Sequence, residues 1–256
     1  MPVGISCSRF LEMNQAMQQM LNARARPNLT PILLQNWTSL LFLHWKYPAE
    51  EIQSRLPSGL LVDTFNGEAY LGVVAFRMES VRPVGLPSLP WISNFLELNV
   101  RTYVRTAFGE PGVWFFSLDC NRLPAVHIAR TFFGLPYESA TMEAHSTKTI
   151  HCRRNGFREV AQYAWTKRHA PVVASLGSLE FFLAERYNFF STLRGRMFRG
   201  QVHHTPYPLS HAVVSEWSDL PLRWNGFNVS QRPPDLAHCS PGVSVEAFPL
   251  CKPTPF

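Results

Sequence analysis

The ten residues FLELNVRTYV, residues 95–104, alternate strictly between two kinds of side chain. Leu96, Leu98, Val100, Thr102 and Val104 fall on one side of an extended chain; Glu97, Asn99, Arg101, Tyr103 and the following Arg105 fall on the other. This period of two predicts a strand with one face against a core. The polar face decides what kind of sheet the strand belongs to. On an open sheet it meets water and is an ordinary exterior. In a sheet closed on itself it lines the interior, where carboxylate and guanidinium must pair or hold a ligand to offset desolvation.

Downstream, the turn GEPG (109–112) leads into VWFFSLDC (113–120), a nearly continuous apolar strand. A helix is predicted next, capped by Asp119 or Asn121, with Pro124 in its first turn and Gly134 as its stop. Pro136 then stiffens the exit, and Tyr137 and Glu138 open the next extended segment. Strands are expected at 141–152 and 157–167, joined by the turn Asn155-Gly156. Upstream, residues 36–48 read as a strand and residues 48–59 as a short helix with Pro48 at its start. Residues 60–78 carry Asn66-Gly67 between two apolar segments, a strong hairpin signal. GSLEFFLAERYNFF (177–190) begins as a helix capped by Ser178 and runs into a strand. From Arg232 on, repeated prolines read as a tail.

Residues 8–26 form a helical pattern, with Phe10, Met13, Met17, Met20 and Leu21 as its apolar stripe. This divides the chain into an N-terminal helical extension, residues 1–30, and a single domain, residues 31–256, ending in the proline-rich tail. Many strands joined by hairpins, with a few short peripheral helices, define an α+β protein built on a mainly antiparallel barrel or sandwich.

A hydrophobic fraction of 46% against 16% charged residues supplies a packed core and excludes a disordered chain. The net charge of +6 comes mainly from arginine, because the only lysines are Lys46, Lys148, Lys167 and Lys252. Five cysteines without a C-x-x-C pair speak against a disulfide framework and a cysteine zinc site. No signal-peptide core and no apolar run of membrane length is visible, so a cytoplasmic protein without membrane partners is expected. Phosphate loops, dinucleotide fingerprints, nucleophile elbows and zinc-protease motifs are missing from the sequence. His145 and His151, taken as one strand, would lie roughly 20 Å apart, and the neighbours His203 and His204 would face opposite ways. No metal and no cofactor is therefore expected. The clusters Arg153/Arg154/Arg158, Lys167/Arg168 and Arg194/Arg196/Arg199 match no nucleic-acid module, so no nucleic-acid partner is expected. Homo-oligomerisation stays open.

Six segments taken in order carry a resemblance: RLPSGLLVDTFNGEAYLGVVAFRM, VRPVGLP, FLELNVRTYV, PGVWFFSLD, AVHIARTFFGLPYESATM and LEFFLAERY. Together they resemble the YqjF-like family, a set of bacterial proteins of unknown function, from about Trp37 to Phe248. That family is in turn similar to acetoacetate decarboxylase, chiefly over residues 97–140. The resemblance implies a cone-shaped antiparallel barrel holding a small-molecule pocket. It places Glu97 at the acidic position of the decarboxylase strand, Arg130 at the helix arginine, and Pro136 at the turn proline. Tyr137 and Glu138 stand where the decarboxylase has lysines.

That departure decides the chemistry the resemblance allows. An imine requires an uncharged primary amine, which neither tyrosine nor glutamate offers. Only Lys148, on the next predicted strand, would supply one from a new place. The candidate catalytic set is Glu97 as general acid or base, Arg130 as carboxylate clamp and Tyr137 as proton donor. Asn99, Arg101, Tyr103 and Glu138 are the candidate ligand contacts. Against these roles stands a scaffold reading, in which Arg130 pairs with Glu97 or Glu138 and Tyr137 packs the turn. Two functions compete. One is an enzyme acting on a small organic acid or carbonyl compound without a Schiff base; the other is a non-catalytic carrier or sensor of a small ligand, such as a carboxylate. A scaffold with a filled barrel is a third reading. The contents of the cavity discriminate among them.

Overall fold

The computed structural model describes residues 7–253, with side chains from Gln15 onward except that of Pro90. An N-terminal helix α1 (Cys7–Arg24) precedes the sheet. The first half of the chain then runs β1 (Leu33–Tyr47), α2 (Ala49–Gln53), β2 (Leu60–Val62), β3 (Ala69–Pro83), α3 (Pro90–Ser93), β4 (Phe95–Thr106) and β5 (Pro111–Cys120). Next come α4 (Leu123–Ile128) with a π-helical turn at Ala129–Phe133, β6 (Tyr137–Ser146), β7 (Thr149–Arg154), β8 (Ala161–Lys167) and β9 (Val172–Val173). The remainder is α5 (Leu179–Ala184), β10 (Asn188–Leu193), β11 (Arg196–His203), β12 (Pro208–Glu216), α6 (Leu220–Trp224) and β13 (Leu236–Ala247).

Among the described residues one sheet runs in the order β2-β4-β3-β1-β13-β11-β10-β5-β6-β7-β8-β12-β9. Two further pairings, β4 with β5 and β13 with β12, join strands that are not neighbours in that order. All pairings are antiparallel except those of β5 with β10 and with β6. Both long strands β1 and β3 bend where a serine takes a positive φ, Ser39 and Ser80 at 53° each, beside the register shifts of their pairing. Such bulges coil a ladder that would otherwise stay flat.

The alternation seen in β4 recurs in β1 and β3, and it sends their side chains into two different cores. Leu41, Leu43, Val73, Ala75, Leu98 and Val100 pack with Ile150, Tyr163 and Trp165 on one side. Leu40, Phe42, Val74 and Phe76 pack with Leu118, Tyr137 and Tyr207 on the other. Both faces of β4 are therefore covered, and Glu97, Asn99, Arg101 and Tyr103 are buried while Arg105 emerges at the strand end.

Several local expectations are corrected. Asn66 and Gly67 form the tight turn (φ 52° and 86°), but it is closed only by the Phe65–Glu68 bridge, because β2 pairs with β4 instead of β3. No side chain caps α4; its N-cap is Arg122, and Asp119 is fully buried against Arg154. Gly134 does end that helical segment, at φ 61°. The expected strand at 141–152 is two strands, β6 and β7, with a turn between Ser146 and Thr149.

The proline-punctuated stretch after Arg232 contains the twelve-residue strand β13, which pairs with β1 along almost its whole length. Pro241 lacks an N–H, and it falls opposite Ser39 in a gap of the ladder between the Thr38–Gly242 and Leu40–Ser240 pairs. Pro255 lies outside the described residues. At the other end α1 rests on the sheet: Met20 is buried, Gln19 donates to the Phe108 carbonyl at 2.9 Å, and Gln201 donates to the Ala23 carbonyl at 3.0 Å. The side chains of Phe10 and Met13 lie outside the described residues.

Candidate active site

A cavity of about 440 Å³ occupies the side of β4 that carries Glu97, Asn99 and Arg101. Its walls are apolar, with Trp37, Leu40, Phe42, Val74, Phe76, Phe115 and Leu118 among them. Leu86, Leu89 and Ile128 line it and are also exposed, so the opening lies between the loop before α3 and the end of α4.

Glu97 is the acidic centre. Parallel pairing of β6 with β5, Leu118 beside Tyr137, carries the phenol across β5 toward Glu97 on β4. The Tyr137 hydroxyl donates to Glu97 Oε2 at 2.5 Å, and Asn99 Nδ2 is 3.4 Å from Oε1. Burial pushes the Glu97 carboxyl up to about 7, an effect the hydrogen bonds from Tyr137 and Asn99 only partly offset. Burial, and then the neighbouring Glu97, hold the Tyr137 phenol well above its ordinary range, so it stays a donor. The pair is a carboxyl poised to exchange a proton near neutrality, steadied by a phenol that keeps its own.

Three arginines line the cavity, Arg82, Arg101 and Arg186; Arg186 is paired with Asp63 at 2.8 Å, and Arg101 is the one on the same face of β4 as Glu97. Its Nη2 donates to the Leu183 carbonyl at 3.2 Å, while its buried Nε has no hydrogen-bond partner among the described residues. No carboxylate among them lies within ion-pair reach of Arg101. Asn99 Oδ1 and Asn188 Oδ1 are likewise buried without partners, and both residues line the cavity. Tyr103 sits behind this group and does not line it; its hydroxyl donates to the Leu183 carbonyl at 2.9 Å and lies 2.7 Å from His44 Nε2.

Arg130 and Glu138 lie elsewhere. Arg130 donates through Nε to the Tyr137 carbonyl at 2.5 Å and through Nη2 to Glu138 at 2.9 Å, and both side chains are nearly half exposed. They brace the turn that presents Tyr137 and do not line the cavity. The reason is the strand parity of β6: Tyr137 points inward, so Glu138 points out. All four lysines are exposed, Lys148 included, and none lines the cavity. Sequence reasoning missed Arg186, Asn188 and Tyr207 as lining residues. The polar breaks Arg186 and Asn188 in the aromatic run of 181–190 were the available signal.

The expected separation of His145 and His151 is overturned. Because β6 and β7 form a hairpin, Nε2 of His145 lies 3.2 Å from Nδ1 of His151. A second polar group was not legible at all: ligand atoms of Glu180, His211 and His238 all lie within 4.8 Å of one another, away from the cavity lining.

Fold and site together define a class: an acetoacetate decarboxylase-like sheet with a buried acid, arginines and no lysine lining its cavity. The fold likeness is direct. The enduracididine biosynthesis enzyme MppR, complexed with the condensation product of pyruvate and imidazole 4-carboxaldehyde, superposes with a TM-score of 0.60 at 10% identity, covering 88% of this chain and 90% of that one. Acetoacetate decarboxylase from Legionella pneumophila gives 0.57 at 13% identity, covering 87% and 88%. An acetoacetate decarboxylase-like enzyme from Sphingomonas wittichii RW1 gives 0.59 at 12% identity, covering 88% and 94%.

The family is narrower than the fold. The chain belongs to DUF2071, a family of uncharacterized conserved proteins whose profile matches residues 34–244. It is similar to the uncharacterized protein YqjF of Bacillus subtilis (strain 168), 34% identical over 225 residues that cover 86% of this chain and 92% of that protein. Among the described residues no helix is long and apolar enough to cross a membrane.

Proposed function

We propose that the sheet closes into a cone whose cavity binds a small organic acid bearing a carbonyl group, and that Glu97 exchanges a proton with it. Arg101 holds the carboxylate through its unpartnered Nε–H, and the aromatic and aliphatic walls take the carbon chain. Glu97 removes the proton on the carbon beside the carbonyl and returns it, with Tyr137 steadying the carboxyl between its two states. No imine forms, because no lysine reaches the cavity. The observation that carries the reading is a carboxyl lifted to about 7 and held by a phenol inside a cavity with a free arginine donor. Support from the fold comes from MppR, whose bound molecule is a condensation product of pyruvate.

The predominantly apolar lining favours a second reading, a carrier or sensor that binds such acids without turning them over. Deuterium exchange separates the two. In deuterated buffer, pyruvate and longer 2-oxo acids are expected to lose their C3 protons in the NMR spectrum faster with the protein than without it. Glu97→Gln is expected to abolish that exchange and keep binding by calorimetry. Binding without exchange in the parent protein selects the carrier; no binding of any 2-oxo or simple carboxylic acid sinks both readings.

A further inference from the structure

A second site lies where α5 meets the β12–β13 ladder. His211 of β12 and His238 of β13 are direct partners in that antiparallel register, so their rings leave the same face side by side, with centroids 4.9 Å apart. Glu180, in the first turn of α5, places its carboxylate against them. His238 is only 4% exposed, and its Nε2 has no hydrogen-bond partner among the described residues. A buried imidazole with a bare nitrogen, set beside a second imidazole and a carboxylate, is poorly satisfied by the protein alone and well placed to hold a cation.

We propose that Glu180, His211 and His238 bind a divalent transition-metal ion, zinc being the best fit. The donor set is two imidazole nitrogens and one carboxylate oxygen, which suits zinc, cobalt or nickel and not calcium or magnesium. Zinc–nitrogen bonds of about 2.0–2.1 Å place tetrahedral ligands about 3.3 Å apart. The present spacing of up to 4.8 Å closes by modest rotation of side chains, and the exposed His211 ring is free to make that rotation. Solvent reaches the ion on the His211 side, where water takes the fourth position. The surroundings hold the ligands: Ser178 hydrogen-bonds the Glu180 carboxylate, and the His211 backbone N–H donates to His169 Nε2 at 3.2 Å. His169 is not itself a ligand, since its Nδ1 lies 2.8 Å from the Ala170 carbonyl and its Nε2 accepts from His211. The ion ties α5, which precedes the cavity residues Arg186 and Asn188, to the two strands beneath it.

The test is a titration of the chelator-treated full chain with zinc alone, and separately with cobalt alone. One zinc per chain with a Kd below about 1 µM is expected, with a rise in Tm at saturating zinc. Cobalt is expected to give visible absorption bands of a low-coordinate nitrogen–oxygen site. His211→Ala, an exposed position whose replacement leaves the core untouched, is expected to weaken zinc binding by more than about thirtyfold with an unchanged circular dichroism spectrum. Glu180→Gln is expected to weaken it by about tenfold. His151→Ala, which removes one ring of the exposed His145–His151 pair, is expected to change nothing. Zinc affinity weaker than about 100 µM in the parent, a loss of less than about tenfold in His211→Ala, or a loss in His151→Ala equal to that in His211→Ala would each overturn the proposal.

Discussion

At the scale of residues the chain turns on Glu97. Its carboxyl rises from an ordinary 4.5 to about 7 because burial disfavours the charge. The native state therefore holds a proton that the unfolded state has released between those two values, and stability from this group is full below about 4.5 and lost as pH rises to about 7. The loss across that window is on the order of 3 kcal/mol. Buried histidines act in the opposite sense: burial lowers His204 and His238 to about 4 and His44 well below its usual value, so their contribution is lost as pH falls. The difference between parent and Glu97→Gln isolates the carboxyl. Parent stability minus variant stability, from urea melts, is expected to fall steadily between pH 4.5 and 7; a flat difference means Glu97 is not held protonated. Arg101→Met, similar in length and without charge, is expected to weaken binding of small carboxylic acids by at least tenfold in calorimetry. The same acids as neutral amides are expected to show no such loss.

At the scale of elements the informative pieces are turns. Gly134 ends the π-helical turn at φ 61°, and a Cβ there would sit 2.5 Å from the Thr192 carbonyl oxygen on β10. Gly156, at φ 90°, has open space around it. Gly134→Ala is expected to cost about 2–3 kcal/mol in denaturant melts, from backbone strain plus overpacking, and Gly156→Ala about 1 kcal/mol from backbone strain alone. Equal losses at both positions would mean that the contact with β10 is not what makes Gly134 necessary. Legibility follows the same divide. The Asn66-Gly67 and Gly134 turns were readable because their backbone conformations demand those residue types. The turn between Ser146 and Thr149 carries no such residue, so two strands read as one, and a histidine pair 3.2 Å apart read as roughly 20 Å apart.

At the scale of the whole molecule, the cavity is the feature that separates a binding protein from a scaffold. Val74 lines it and is buried, at the centre of β3. Val74→Phe is expected to fill part of the 440 Å³ volume, raise Tm or leave it unchanged, and reduce ligand affinity at least tenfold. A sharp fall in Tm would mean the space is already packed. Borohydride treatment with pyruvate is expected to attach nothing to the protein, since every lysine is on the outside; a labelled Lys148 would bring imine chemistry back.

The amino-acid sequence alone determined the alternation of β4, which rests on a period within one segment, while its resemblance to the decarboxylase implied Glu97 and Tyr137 as candidates and a tyrosine and glutamate where that enzyme has lysines. It also carried the family. Tertiary structure alone decided that Arg101 faces the cavity while Arg130 braces a turn outside it, since strand parity tells two faces apart and does not say what covers each. It decided that Leu236–Ala247, within the proline-marked stretch after Arg232, is a strand, because Pro241 is tolerated only where its partner Ser39 leaves a gap in the ladder. And it brought Glu180, His211 and His238 together from three separate segments. Contacts between residues far apart in the chain are set by strand register, which no local pattern records.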